Sequence, residues 1–394
     1  MIRREAIDAT IEWVLTRGRE EDDLGAILAG LATRLIDCGL PLCRLFVGTP
    51  TIDPTASVIQ YVWWRDGDAA THRLPPNATL GSAYLQSPIR YLIERQQPGG
   101  RWKLDDPAVM RQFPVLAELR ERGVTEYALS SVQFSEARTA LAGAAMAIAT
   151  DRPGGFTQEE IDAAVEVLPA LAIVAYRIVL LDVATETLGA YLGPQTGRHV
   201  LRGMIRRGDS RTIAAALLLA DLRGFTALVD SAPAAEVVRW LNEHFDGIGA
   251  AVVEQDGEIL KFLGDGLLAV FPVDGADAAE ACARAIEAAL MARARNAELN
   301  ARREAHGQPT LALNLVLHFG EVVYGNIGTA RRLDFTVIGR AVNEASRMEA
   351  LGKSLGRDLL LSESFARHCG RATTSLGEYE LRGIAEKREI FVLA

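Results

Sequence analysis

The sequence predicts a two-domain protein of the mixed α/β (α+β) class. The chain has 394 residues, which is enough for two or three domains of ordinary size. Amphipathic helical stretches alternate with short runs of β-branched and aromatic residues in both halves. A segment rich in Gly and Arg, residues 186–211, separates the halves and is predicted to be a coupling linker. The predicted domains are therefore residues 1–185 and 212–394.

Composition excludes several classes of protein. Apolar residues make up 49% of the chain and charged residues 24%, as in average globular proteins, so disorder does not describe the whole chain. The formal net charge is −9. Because nucleic-acid affinity depends on Lys and Arg neutralising phosphates, this balance argues against nucleic acid as a partner.

Cysteine spacing and hydropathy predict a cytoplasmic protein with no membrane span. The four cysteines form no C-x-x-C pair, so structural disulfides and a zinc site are not expected. The longest charge-free apolar runs, 139–150 and 167–176, are shorter than the ~20 residues needed to cross a bilayer.

The first half begins with helical and strand patterns. Leucine and isoleucine recur at helical spacing over residues 22–36. Turn formers are frequent over residues 65–127, which predicts loops and short helices. Strands are predicted at 42–47, 58–64, 128–134 and 141–149.

A strong helix start follows at Thr157. Thr157 and Glu160 have the T-x-x-E spacing of a capping box, in which each residue satisfies a free backbone N–H of the other. The order of elements, and above all "LAGAAMAIATDRPGGFTQEEIDAAVEVLPALAIVAYR", resembles a GAF domain. The resemblance implies a sensor domain with a small-molecule ligand that the sequence does not identify. Trp63, Trp64 and Trp102 are candidate pocket residues, with ordinary core packing as the alternative.

The second half has the order β-α-β-β-α-β with additions, which is that of a ferredoxin-like palm. Helices are predicted at 234–253, 276–305 and 342–351. Strands are predicted at 213–220, 258–262, 267–271, 311–318, 322–324, 358–362 and 389–393.

Two carboxylates in this half are candidate metal ligands. Asp221 ends the first strand in "LLLADLRGFT", and Asp265 lies in the turn of "ILKFLGDGLLAVF". Pairing of the two strands would bring both to one edge, and Mg²⁺ prefers oxygen ligands from one or two carboxylates and substrate phosphates. Gly224, with Phe225 and Thr226, would let backbone N–H groups approach a phosphate. The alternative is that both aspartates are turn and cap residues.

A polar pair lies on the predicted helix of "LDFTVIGRAVNEASRMEAL". Asn343 and Arg347 are four positions apart, so they share one face of that helix. The guanidinium of Arg347 suits a phosphate, and Asn343 suits a ribose oxygen. The alternative is an ordinary polar helix surface.

Taken together, these segments closely resemble the class III nucleotidyl cyclase catalytic domain. The matching stretches are "ALLLADLRGFTALVD", "GEILKFLGDGLLAVF", "LHFGEVVYGNIG" and "FTVIGRAVNEASRMEAL", in the family's order and spacing. The resemblance implies two metal ions per site, Mg²⁺ or Mn²⁺. It implies these roles: Asp221, Asp265 and the Leu222 carbonyl as metal ligands, Lys261 and Thr336 on the purine, Asn343 and Arg347 in catalysis, and Arg382 on the triphosphate.

The purine pair indicates the substrate. Lys261 can donate to a ring nitrogen of adenine, and the Thr336 hydroxyl can accept from its amine, which favours ATP. Many family members have Asp in place of Thr336, and some have Arg in place of Glu321. Guanylate cyclase is the alternative enzyme, and a catalytically silent nucleotide-binding sensor is the non-enzymatic alternative.

The resemblance further implies the assembly and the reaction. In the family each site forms between two catalytic domains, one with the metal carboxylates and the other with the purine pair, Asn and Arg. This chain has one copy of each, so a homodimer with two equivalent sites is expected. The expected reaction converts ATP to 3′,5′-cyclic AMP and pyrophosphate by in-line attack, under control of the N-terminal domain.

Overall fold

The computed structural model describes residues 2–53, 56–67, 69–134, 143–230, 232–273, 275 and 277–394, with the side chains of 226 and 227 excepted. The chain divides into two compact units, Met1–Thr187 and Leu188–Ala394.

The first unit is built on a six-stranded antiparallel sheet of order β3-β2-β1-β6-β5-β4. Of the predicted strand 141–149, residues 141 and 142 lie outside the described residues. The strands of the first unit are β1 (Arg44–Asp53), β2 (Ala56–Trp64), β3 (Ala69–Leu74), β4 (Gly99–Lys103), β5 (Glu126–Gln133) and β6 (Gly143–Thr150). Its helices are α1 (Arg4–Glu20), α2 (Leu24–Asp37), α3 (Ser82–Leu85), α4 (Pro88–Glu94), α5 (Pro107–Gln112), α6 (Pro114–Glu121) and α7 (Gln158–Leu192), with a 3₁₀ turn at Ala78–Leu80.

Two clusters of buried side chains cover the two faces of this sheet. Helices α1, α2 and α7 pack with one face, and α4 to α6 pack with the other. The predicted capping box starts α7: the Glu160 N–H donates to the Thr157 hydroxyl at 3.3 Å, and the Thr157 N–H donates to the Glu160 carboxylate at 2.7 Å. Trp102 is only 9% exposed and packs edge-on against Tyr91 and Phe113, so it is a core residue.

Helix α7 is unusually apolar. Among the described residues it is the one helix long and apolar enough, by length and composition, to cross a membrane. Within this structure, 56% of its most apolar stretch is buried, and a buried core helix has the same composition. The sequence prediction of no span counted only unbroken charge-free runs.

The second unit is built on an eight-stranded sheet. Its path is β13-β14-β12-β10-β7-β9-β8, and β11 pairs with β10. The strands are β7 (Ser210–Arg223), β8 (Glu258–Leu263), β9 (Gly266–Pro272), β10 (Ala312–Gly328), β11 (Leu333–Ile338), β12 (Leu359–Ser362), β13 (Thr373–Tyr379) and β14 (Arg388–Leu393). The helices are α8 (Pro194–Leu201), α9 (Phe225–Val229), α10 (Ala234–Glu254), α11 (Ala278–Ala305), α12 (Arg340–Leu355) and α13 (Glu363–Ala366).

Strand alternation explains the layering of this unit. Leu218 of β7 joins the buried cluster that contains α10 and α11, whereas its neighbours Leu217 and Leu219 join the cluster that contains α12. The central strands are therefore apolar on both sides, as a continuous apolar run predicts. The predicted order β-α-β-β-α-β is confirmed by β7, α10, β8, β9, α11 and β10.

Strand β10 differs from the prediction of two strands at 311–318 and 322–324. It is one strand, because Gly320 and Glu321 remain paired with Ala215 and Ala214 of β7. The long neighbouring strand keeps the backbone extended through a glycine that interrupts the apolar pattern.

Part of the predicted linker, residues 188–209, is ordered against the second sheet. Thr196 of α8 is fully buried, and its N–H donates to the buried Glu258 carboxylate at 2.7 Å. The Tyr324 hydroxyl donates to the same carboxylate at 2.7 Å. Gly193 has φ +91°, and a Cβ there would lie 2.8 Å from Glu258 Oε1, so a glycine is required for this close approach. Glycine here therefore permits packing rather than flexibility.

Candidate active site

Strand pairing brings the two candidate carboxylates together. In the antiparallel ladder of β7 and β9, Asp221 lies opposite Gly266, and the Leu222 N–H donates to the Asp265 carbonyl at 3.2 Å. Partial burial, and then the negative charge of Asp221, raise the pKa of Asp265 above its ordinary value. The structure thus places two mutually repelling carboxylates at one sheet edge, where a cation would stabilise both.

A lysine already provides a positive charge at this edge. Lys353 of α12 lies with its ammonium 2.7 Å from Asp221 Oδ2 and 2.8 Å from Glu349 Oε1. Burial alone would lower the pKa of Lys353, but its hydrogen bonds to these two carboxylates raise it. The Asp221 side chain is only 16% exposed, so this attraction is weakly screened by water.

The two carboxylates suit a hard divalent ion that takes only a few of its ligands from the protein. The described residues contain no cluster of three or more His, Cys, Asp or Glu side chains able to hold a metal. Two adjacent carboxylates alone are a usual protein contribution to Mg²⁺, which keeps waters and takes phosphate oxygens from a substrate. Asp221 and Asp265 could hold such an ion, with the Leu222 carbonyl as the further ligand that the family resemblance implies.

The loop after Asp221 has the backbone conformation expected where N–H groups approach a phosphate closely. Gly224 has φ +82°, a left-handed conformation that favours glycine, and no atom would obstruct a Cβ there. Phe225 then begins the short helix α9. The side chain of Thr226 lies outside the described residues.

The predicted catalytic pair lies elsewhere on the same copy of the chain. Asn343 and Arg347 are both exposed on one face of α12. Among the described residues, no hydrogen bond or ion pair joins either side chain to Asp221 or Asp265. Arg382 is exposed in the turn between β13 and β14. One copy therefore brings the carboxylates together without the catalytic pair, which the family resemblance expects from a second copy.

The candidate purine residues lie on β8 and β11, which an ion pair joins although the two strands are not paired in the sheet. Lys261 of β8 forms an ion pair with Asp334 of β11. Phe335 and Val337 are buried, whereas Asp334 is exposed and Thr336 is half-buried, so β11 alternates between its two faces. Thr336 therefore lies on the same face as Asp334, one alternation further along the strand.

Comparison with known proteins identifies this part of the chain. Residues 209–394 match the family described as the adenylate and guanylate cyclase catalytic domain. Residues 209–394 are a cyclase catalytic domain. An adenylate cyclase of Anabaena cylindrica is 35% identical over 164 residues, which cover 42% of this chain and 32% of that protein. An uncharacterised protein of Mycobacterium tuberculosis is 38% identical over 212 residues, which cover 50% of this chain and 37% of that protein.

A solved structure gives a similar extent of match. The adenylyl cyclase CyaB from P. aeruginosa aligns with 47% of this chain and 95% of that chain, at a TM-score of 0.44 and 23% identity. The chain spans about a third of the length of the curated relatives named above.

Sequence reasoning missed three charged residues of the cyclase domain. Lys353 and Asp334 contact predicted site residues, and Arg223 donates to Asn314 Oδ1 at 3.0 Å and to the Gly352 carbonyl at 3.2 Å. Arg223 therefore ties the end of β7 to β10 and α12 beside Asp221. A signal was available for Asp334, which is two residues before Thr336 and so shares its strand face.

A buried histidine gives the cyclase domain a pH-dependent stability. His318 is 5% exposed, and burial lowers its pKa to about 4, while nearby Glu344 raises it and Arg388 lowers it further. In the unfolded chain His318 takes up a proton below about pH 6.5, whereas in the folded chain it does so only below about pH 4. Stability is therefore lost as the pH falls through this window.

We expect His318 to lower the free energy of unfolding of the full-length protein by about 2 kcal/mol between about pH 7 and about pH 5. His318→Gln should show a smaller loss over the same range. Denaturant unfolding at each pH measures the difference between the two proteins, and equal pH slopes for both would contradict the assignment. His306→Gln is the matched control, because His306 is exposed.

Proposed function

We propose that the protein is an adenylate cyclase that converts ATP to 3′,5′-cyclic AMP and pyrophosphate. The observation that carries this proposal is the adjacency of Asp221 and Asp265 at one edge of the sheet of a cyclase catalytic domain. The adenylate cyclase of Anabaena cylindrica, 35% identical over the aligned residues, supports the choice of reaction.

The chemistry is an in-line displacement at the α-phosphorus. The ribose 3′-oxygen gives its proton to solvent and forms a bond to the α-phosphorus, and the bond from that phosphorus to the bridging oxygen of pyrophosphate breaks. Two Mg²⁺ or Mn²⁺ ions bound to the carboxylates would stabilise negative charge on the attacking and leaving oxygens. Asn343 orients the ribose, and the guanidinium of Arg347 stabilises the charge that develops on the transferred phosphate. Arg382 and the backbone of Gly224 to Thr226 bind the remaining phosphates.

We propose that the active enzyme is a homodimer. Asn343 and Arg347 are exposed and are not joined to the carboxylates of their own copy, which supports a site completed by a second copy. One protomer then provides Asp221 and Asp265, and its partner provides the purine pair and the catalytic pair. A two-fold axis makes the two sites equivalent.

The purine pair supports ATP over GTP. Lys261 would donate to the adenine N1, and the Thr336 hydroxyl would accept from the exocyclic amine. Guanine has an N1–H donor where adenine has a ring acceptor, so the donor-only Lys261 ammonium and the guanine N1–H would both be left unpaired. Guanylate cyclase remains the alternative enzyme, and a silent nucleotide sensor is the alternative without turnover.

We propose that the first unit is a GAF-like sensor in a cytoplasmic protein. Its six-stranded antiparallel sheet with helices on both faces supports this assignment. A ligand or partner of that unit regulates the cyclase domain if it binds two arrangements of the dimer with different affinities.

Turnover with identified products tests the proposed function. Purified full-length protein is incubated with ATP or GTP, each with Mg²⁺ or Mn²⁺, and the nucleotides are separated and identified by mass. We expect cyclic AMP and pyrophosphate from ATP, at least about tenfold more than cyclic GMP from GTP. Asp265→Asn is the control and should give no product. Cyclic GMP as the main product favours the alternative enzyme, and no product with either nucleotide favours the silent sensor.

A further inference from the structure

The ion pair between Lys261 and Asp334 adds a residue to the candidate purine site. Asp334 has no role in the sequence prediction, yet it is the residue that the Lys261 ammonium contacts in the structure. The pair is accessible, since the Lys261 side chain is 35% exposed and that of Asp334 is 50% exposed. The ion pair is connected with the purine site by the position of Asp334 on the same strand face as Thr336, and not by burial.

Register places the carboxylate on the face that would meet the base. In the β10–β11 ladder, Asp334 lies opposite Ile327 and Thr336 lies opposite Gly325, whereas the buried Phe335 between them faces the core. Asp334 and Thr336 therefore point the same way, toward the side of β11 on which Lys261 of β8 reaches across. The three polar side chains form one accessible row.

The chemistry of the row explains why a third member is needed. A lysine side chain has four rotatable bonds and loses up to about 2 kcal/mol of conformational entropy when it is held in one place. A threonine hydroxyl carries no charge and cannot hold an ammonium group by ion pairing. A carboxylate on the same strand face can do so, and its fixed position leaves the remaining ammonium protons to donate toward a base.

We propose that Asp334 is a positioning residue that holds the Lys261 ammonium for donation to the adenine ring and thereby sets the preference for ATP over GTP. This inference rests on the proposed function, because it assigns Lys261 to the purine. The carboxylate acts through Lys261 and not on the reacting phosphate. Its loss should therefore weaken nucleotide binding and selectivity more than it slows the chemical step.

The test is the Asp334→Asn variant of the full-length protein. We expect the KM for ATP to rise about tenfold with kcat changed less than about threefold, and the ratio of kcat/KM for ATP to that for GTP to fall by about tenfold. The variant should fold normally, because an exposed ion pair contributes little to stability. Asp334→Glu should recover part of the selectivity.

Two comparisons separate positioning from a general effect. Glu254→Gln removes another accessible ion pair of the cyclase domain, at 2.7 Å from Arg295, and should leave KM and selectivity unchanged. In a Lys261→Met background, Asp334→Asn should add no further loss of ATP affinity, measured directly with the non-cyclisable analogue 3′-deoxy-ATP.

The outcomes distinguish this inference from the proposed function. If the wild-type protein forms no cyclic nucleotide, the proposed function fails and takes the inference with it. If the wild-type protein forms cyclic AMP but Asp334→Asn keeps its KM and selectivity, only the inference is overturned. Additive losses in the Lys261→Met background would likewise overturn it, because Asp334 would then act independently of Lys261.

Discussion

Asp221→Asn and Arg347→Ala proteins, each inactive alone, should recover cyclase activity when they are mixed. Each homodimer lacks the same group in both of its sites. In a mixed dimer, one site lacks both groups and the other lacks neither, because the carboxylate and the arginine come from different protomers. If the chains exchange freely, half of the dimers are mixed and each has one intact site, so about a quarter of wild-type activity per total protein should return.

A matched mixture makes this result specific. Asp221→Asn mixed with Asp265→Asn should not recover, since both changes affect the contribution of the same protomer to each site. Cyclic AMP formation is measured after the proteins are mixed and incubated, and sedimentation checks that every variant still dimerises. Stable, dimeric variants that fail to complement would contradict the shared site, as would activity of a monomer.

Glu258→Leu should destabilise the second unit by about 2–4 kcal/mol and release the segment around α8. The Glu258 side chain is 2% exposed and accepts from the Thr196 N–H and the Tyr324 hydroxyl. A leucine of similar size fills the space but leaves the buried Thr196 N–H unpaired, which costs about 1–3 kcal/mol. The Tyr324 hydroxyl loses one hydrogen bond, worth about 1 kcal/mol, and keeps the Thr196 hydroxyl as a partner at 3.1 Å. Removing an acceptor is unfavourable while its donors stay buried. Replacing the acceptor and its donors together by apolar groups would be less costly.

Hydrogen exchange locates the effect. The amide of Thr196 and those of the rest of α8 should exchange faster in the leucine variant, and denaturant unfolding should show the lower stability. Glu258→Gln keeps a carbonyl oxygen as acceptor and should lose less. Glu254→Gln, at an exposed carboxylate, is the control for the change of charge. A leucine variant as stable as the wild type would show that this contact does not hold α8.

The sequence predicts best those features that depend on local pattern. The T-x-x-E capping box begins α7 as expected, since its two hydrogen bonds join residues three positions apart. The adjacency of Asp221 and Asp265 also follows from pattern. Asp221 ends an apolar run, and Asp265 lies in the short turn between β8 and β9, of which β9 pairs with β7.

The features that the sequence missed depend on contacts between distant residues. Lys353 is 132 positions from Asp221 in the numbering, and Asp334 is 73 from Lys261; no periodicity relates either pair. The order of α8 likewise depends on Glu258, 62 positions from Thr196, so glycines that suggest a flexible segment instead permit a close contact. Such pairings follow from the arrangement of strands and helices, and become visible only once it is known.

The ion pair of Lys353 with Asp221 has a consequence for how cations compete at the sheet edge. The negative charge of Asp221 already has a counter-ion, which is the Lys353 ammonium of α12. Binding of a divalent ion at Asp221, as we propose, is therefore an exchange of one positive partner for another. The affinity that a titration reports is the difference between the two attractions, and the freed ammonium, still beside Glu349, becomes available for the phosphates that arrive with the nucleotide.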